Sequence, residues 1–229
     1  MLSNLKRKAA LLTQSLRRPA APVSSLFEVG PHIEKYFGPG GFVLHEEIST
    51  ICHIDVHVVL PSDTRPYYVL LTSGMSDRPM RMPAGLENLA LAEVCLSLPP
   101  DWPISAKNME WATPENYWPI ALLKQMTVYP HRNNTWFSWG HTIGSVDVPE
   151  ALDPAGRFVG VLISGPATLP AGAETLLKAD GGSIIYLAAV PLLKDELQLA
   201  RTSGIEALEA KLDAADVTEL IDPGRKSSI

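Results

Sequence analysis

An α+β fold is predicted for this chain, and three features of the sequence predict it. Between Ile51 and Leu60 apolar and polar residues alternate with a period of two, the mark of a strand with one face on a core. Two further strand-like runs follow, Tyr67 to Thr72 and Leu89 to Leu98. The later half mixes helices at 115–128, 194–202 and 205–214 with only two strands, at 157–164 and 183–192. Strands in a meander first, then helix, strand, strand and helices, favour α+β over a regular βαβ alternation. Residues 26–229 are expected to form one domain behind a basic N-terminal extension and linker at 1–25.

Each element has a local reason. A short helix is expected from His32 to Phe37, because Gly38 and the following Pro39-Gly40-Gly41 forbid its continuation. The first long strand, about 48–60, ends at Pro61, and Ser62-Asp63-Thr64-Arg65 turns the chain into the second strand of a hairpin. Pro99-Pro100 closes the third strand. Thr113 can cap the helix near 115–128, with Pro114 at its first position. Pro119 would remove an interior hydrogen bond, so the main helix is expected to begin at Trp118-Pro119. Its buried stripe would be Ile120, Leu122, Leu123 and Met126. Residues 130–156 read as long irregular structure, a kind of segment that is commonly functional. The run 183–192 is apolar on both faces and is expected to be central, while Ser203-Gly204 separates the last two helices.

Composition narrows the function. Of 229 residues, 46% are apolar, which excludes disorder, and no run approaches a membrane-spanning length. A net charge of −6 argues against nucleic-acid binding, which needs clustered Lys and Arg. The charge is segregated: Lys6, Arg7, Lys8, Arg17 and Arg18 put +5 on the first eighteen residues, so the remainder carries −11. Leu5, Ala9, Leu12 and Leu16 share one helical face, but the apolar run is too short for a secretory signal. A loose solvated extension is the plainer reading of this segment, and a docking helix the sharper one. Cys52 and Cys95, both in expected strands, read as buried thiols of a cytoplasmic protein rather than a disulfide framework.

Chemistry-bearing residues cluster in four places. On the first strand Cys52, Ile54, Val56, Val58 and Leu60 form the apolar face, and His53, Asp55 and His57 the polar one. Imidazole and carboxylate are common metal ligands. Yet residues four apart on a strand are separated by about 13 Å, so His53 and His57 cannot share an ion without a bulge. A third ligand would have to come from Glu93, His131 or His141. A metal-assisted hydrolase built on this face is the enzyme alternative; the plainer reading is a hydrogen-bonded sheet face. Ser73-Gly74-Met75-Ser76-Asp77 follows a strand but lacks the pattern of a nucleophile elbow, so it reads as a turn that needs its glycine. Glu93 stands among apolar residues and should be paired, with the His53/Asp55 row or with a backbone amide. Trp136, Phe137 and Trp139 sit with Gly140 and His141 in the long loop, a composition found at binding hot spots as well as over cores.

Several segments in order resemble the suppressor-of-fused family in its short bacterial form. They are HIDVHVVLP (53–61), YYVLLTSGMSDRPM (67–80), AEVCLSLPPDW (92–102), YWPIALLKQM (117–126), NTWFSWGHTIG (134–144) and AVPLLKDEL (189–197), with a closing Asp222-Pro223-Gly224-Arg225. The resemblance implies one α+β domain with a mixed, mainly antiparallel β-sheet flanked by helices, no cofactor and no enzyme activity. Animal members sequester a transcription factor by gripping a short extended peptide, and carry a further C-terminal domain, which is not expected in this chain. Some bacterial members resemble immunity proteins encoded beside toxins. The implied partner is therefore another protein, which for an immunity protein would be a toxin encoded nearby. Of the peptide-gripping residues, Tyr129 and His141 match the family pattern, whereas Gly140 stands where animal members have an acid. The same peptide is thus not expected as ligand. The expected partner-binding residues are Tyr129, Trp136, Trp139, Gly140 and His141, with His53, Asp55 and Thr72 as weaker members.

Overall fold

The structure, a computed structural model, describes residues 26–45, 52–147, 150–179 and 181–229. The N-terminal extension read from the sequence, and residues 48–51 of the first expected strand, lie outside these. Eight strands form a single sheet: β1 (Phe42–Leu44), β2 (Asp55–Val59), β3 (Tyr68–Ser73), β4 (Ala92–Leu98), β5 (Thr142–Gly144), β6 (Phe158–Ser164), β7 (Thr175–Leu177) and β8 (Ser183–Leu193). Four helices among the described residues flank it: α1 (Leu26–Phe37), α2 (Pro114–Arg132), α3 (Lys194–Ser203) and α4 (Ile205–Ala214). The order across the sheet is β1-β2-β3-β4-β8-β6-β5, with β7 pairing beside β8. Among the described strands only the β4–β8 pair is parallel. The sheet is mixed and mainly antiparallel, as expected.

β8 is the centre, and its unbroken apolar run has a physical cause. Ile185, Leu187 and Ala189 face the cluster that takes in Trp118, Ile120, Leu122, Leu123 and Met126 of α2. Ile184, Tyr186 and Ala188 face Val29 and Ile33 of α1, and farther along the same face Val190 and Leu192 meet Leu197, Leu208 and Leu212 of α3 and α4. A strand buried on both sides cannot alternate with polar residues.

Several boundaries differ from the sequence reading. α1 ends at Gly38, whose φ is 77°, but begins before His32 and contains Pro31, because Val29 and Ile33 together anchor it to the sheet. α2 begins at Pro114, not at Trp118-Pro119. Pro119 is the sixth residue of this helix and forgoes an interior bond to the Glu115 carbonyl, but Pro119 and Trp118 are both buried, so packing outweighs the missing bond. β2 is five residues long, with Cys52 to Ile54 outside it, and Leu60 is 41% exposed rather than part of the core face. β4 starts at Ala92, since Glu87–Leu89 forms a 3₁₀ turn. β1, β5 and β7, three residues each, were not anticipated; strands this short carry no periodicity and exist through their neighbours. Among the described residues no helix is long and apolar enough to cross a membrane.

Candidate functional site

Of the polar row, Asp55 is turned inward and His57 is half-buried on β2, whereas His53, just before the strand, is exposed at 46%. Asp55 is 3% exposed, and its carboxylate accepts from His53 Nε2 at 3.1 Å and from His45 Nδ1 at 3.0 Å. His57 Nε2 meets Ser73 Oγ at 2.9 Å. Burial holds the His57 imidazole down at about 4, against the pull of Asp55, so it is neutral near pH 7. The three residues do not converge on a point. Among the described residues no three His, Cys, Asp or Glu side chains lie close enough to hold one metal ion. The expected third ligands are engaged elsewhere: His131 donates to the Met75 carbonyl at 3.0 Å, and the His141 ring lies against Trp136. His45, which sequence reasoning missed, is ten residues from Asp55 and carries no periodic signal.

Glu93 explains the turn after β3. Its Oε1 accepts the Gly74 N–H at 2.9 Å, the Ser76 N–H at 3.0 Å and the Ser76 hydroxyl at 2.7 Å, while Oε2 accepts the Thr72 hydroxyl at 2.7 Å. Burial raises its pKa, and the four donors oppose that rise. Gly74 has φ 108°, and a Cβ there would lie 1.8 Å from the His53 carbonyl oxygen, so no other residue fits. The Ser76 hydroxyl is committed to the carboxylate, and Ser73, though beside His57, is fully buried. Of the two pairings expected for Glu93, the backbone-amide one is present and the His53/Asp55 one is not. Thr72 is fully buried, so as a partner contact it is corrected to a scaffold residue. Asp55 is corrected on the same ground, its exposure being too small for a partner to reach.

The aromatic loop occupies a different setting. α2 ends near Tyr129, which packs half-buried on the core, and its carbonyl accepts the Asn133 N–H at 3.1 Å. Phe137 plugs the core at 1% exposure, while Trp136 and Trp139 are only partly buried beside it. Trp136 and His141 lie with ring centroids 4.5 Å apart, and burial lowers the His141 pKa. The Gly140 N–H donates to the Ile163 carbonyl at 2.9 Å, and the Ile163 N–H to the His141 carbonyl at 2.8 Å. These bonds extend the pairing of β5 with β6 back into the loop. Since His141 bonds inward to Ile163, the alternation of an antiparallel ladder turns the N–H and C=O of Thr142 outward.

Among the described residues β5 is an outer strand of the sheet, with no strand neighbour on the outer side of His141–Gly144. Arg201 of α3 covers the Gly144 carbonyl at 2.8 Å, a contact the sequence did not signal. Trp136, Trp139, Gly140 and His141 are thus brought together at one edge. Tyr129 stands at the end of the helix that feeds the loop. His53, Asp55 and Thr72 belong to the other half of the sheet: β4, β8 and β6 lie between β3 and β5.

Comparison with known proteins agrees with this architecture. The family model described as suppressor of fused protein (SUFU) matches residues 52–226. A crystal structure of a SUFU homologue from Neisseria gonorrhoeae superposes with TM-score 0.62 at 17% identity, over 89% of this chain and 96% of that one. The structure of a Sufu–Fu complex gives TM-score 0.62 at 13% identity, over 90% of this chain and 93% of that one. Drosophila Suppressor of Fused gives TM-score 0.52 at 14% identity, over 81% of this chain but 46% of that longer one. No curated protein matches the sequence significantly.

Proposed function

We propose, from the premise that this chain belongs to the suppressor of fused family, that it is a non-enzymatic domain that captures an extended segment of a partner protein. The observation that carries this reading is the outer edge of β5, with an outward backbone at Thr142, introduced by the Trp136–His141 pair. A partner strand added there gains backbone hydrogen bonds, while Trp136, His141 and Tyr129 supply surfaces for alternate side chains. The Sufu–Fu structure, a complex of a similar fold with another protein, supports a protein as the class of partner. Gly140 leaves the loop without the acid expected in animal members, which favours a different segment from theirs. Neutralising a toxin encoded nearby is one setting in which a cytoplasmic protein would use such a grip.

Selection from a display library of random peptides tests the reading. Enriched sequences are expected to bind as extended strands, and their affinity to fall at least about tenfold with Thr142→Pro, which removes one outward donor. Binders indifferent to Thr142→Pro, and to N-methylation of alternate peptide bonds, would refute strand addition.

A further inference from the structure

Three glutamates among the described residues are buried, and two of them spend both carboxylate oxygens. Glu93 accepts donors on Oε1 and Oε2, and Glu196 receives Arg225 on both. Glu219, 1% exposed, is different. The Ala167 N–H, the Thr168 N–H and the Thr168 hydroxyl donate to it at 2.8, 2.7 and 2.7 Å, and all three fall on Oε1. Among the described residues no other residue donates to Oε2. The carboxylate is also fixed in place. The Ser97 N–H donates to the Glu219 carbonyl at 3.0 Å, and the Ile221 N–H to the Ser97 carbonyl at 2.9 Å.

Glu219 lines a groove of about 600 Å³ between α4 and the loop that carries Trp139. The Trp139 indole Nε1 lines it too, buried and without a hydrogen-bond partner among the described residues. One short segment brings the two groups together. A Cβ at Gly165 would stand 3.8 Å from that Nε1, and Ala167, two residues on, donates to Glu219. Leu162, Val190 and Leu212 line the apolar part of the groove.

An open acceptor and an open donor, both buried beside an apolar surface, cost free energy until something completes them. The volume is that of a small-molecule site. A carboxylate is completed best by a charged donor, and the indole by an oxygen acceptor. An anionic ligand is disfavoured by Glu219 and by Glu206 at the rim. We propose that the groove binds a small organic cation with a primary ammonium, an oxygen acceptor beside it and an apolar body. The ammonium donates to Glu219 Oε2, the acceptor receives the Trp139 N–H, and the body lies on Leu162, Val190 and Leu212. Burial raises the Glu219 pKa against its three donors, and a cation seated beside it opposes that rise. The same unit occurs in free amino amides and at the N-terminus of a peptide. This inference does not depend on strand addition at β5, and the two can fail separately.

Titration of the full chain with L-leucinamide tests it, read by the nuclear magnetic resonance of the Trp139 indole N–H. That resonance is assigned by its loss in Trp139→Phe. Leucinamide carries the ammonium, the carbonyl and an isobutyl body, and its amine is mostly protonated at pH 7. A saturable shift is expected, with a dissociation constant on the order of 1 mM for so small a molecule. 4-Methylpentanamide, which lacks the ammonium, and 3-methylbutylamine, which lacks the carbonyl, are each expected to bind at least about tenfold more weakly. Read on the Gly165 amide, Trp139→Phe should weaken leucinamide at least about fivefold and leave 3-methylbutylamine unchanged. Glu219→Gln should weaken both amines at least about tenfold. If Glu219→Gln fails to fold, the truncated probes and Trp139→Phe still decide. Tighter binding of leucyl-alanyl-alaninamide than of leucinamide would identify a peptide N-terminus as the source, and equal or weaker binding a free amine. No saturable shift, equal binding of 4-methylpentanamide, or indifference of leucinamide to Trp139→Phe each overturns the proposal.

Discussion

The two halves of the sheet treat polar groups in opposite ways. Around β2, β3 and the start of β4, Asp55, His57, Thr72, Ser76 and Glu93 are paired with neighbouring side chains or with backbone amides, and most are buried. Around β5, an edge strand runs on from a partly exposed aromatic pair, and the Trp139 indole has no hydrogen-bond partner among the described residues. The first half carries more titratable groups and looks richer in chemistry, yet its hydrogen bonds are spent on holding a turn. A polar cluster already satisfied from within is scaffold; unfinished hydrogen bonding at an edge leaves something for a partner to complete.

The sharpest way to break this contrast is at Glu93. Glu93→Leu strands two N–H and two O–H donors in the core and should cost about 4 kcal/mol by denaturant unfolding. Glu93→Gln keeps an acceptor for the amides and should cost only about 1 kcal/mol. Equal losses would mean that the charge, not the hydrogen bonding, holds the turn. Gly74→Ala comes next at about 3 kcal/mol, from the positive φ and the clash with the His53 carbonyl.

The His57 effect is smaller and depends on pH. Its folded pKa, near 4, lies below the unfolded value of 6.5, so the unfolded chain takes up the proton first as pH falls. Its contribution is complete above pH 6.5 and declines from there to about pH 4, by at most about 3 kcal/mol. Thermal unfolding of His57→Gln should show a flatter profile over that interval, and an unchanged slope would contradict the assignment. The smallest expected change belongs to the β5 side: Trp136→Ala should alter stability by about 1 kcal/mol or less while weakening peptide capture about tenfold or more.

What the sequence made legible follows from length and periodicity. The 183–192 run, the α2 stripe at Ile120, Leu122, Leu123 and Met126, and the break at Gly204 were readable because each is set by local pattern. β1, β5 and β7 were not, since three residues held by cross-strand pairing leave no period to read. The same blindness touched the site. The residues of the aromatic loop could be named, but β5, which gives them an edge to border, could not. On β2 the alternation was read correctly and then taken one step too far, because a period of two separates two faces without saying that the second is also covered. His45 pairing with Asp55, and Arg201 over Gly144, are contacts between distant segments that no local pattern announces.

Hydrogen exchange with and without a library-selected peptide weighs the two halves directly. The account predicts new protection at Gly140–Gly144 and none at His53–His57. Protection appearing at His53–His57 while Gly140–Gly144 exchanges as before would place the binding surface on the β2 half and contradict it.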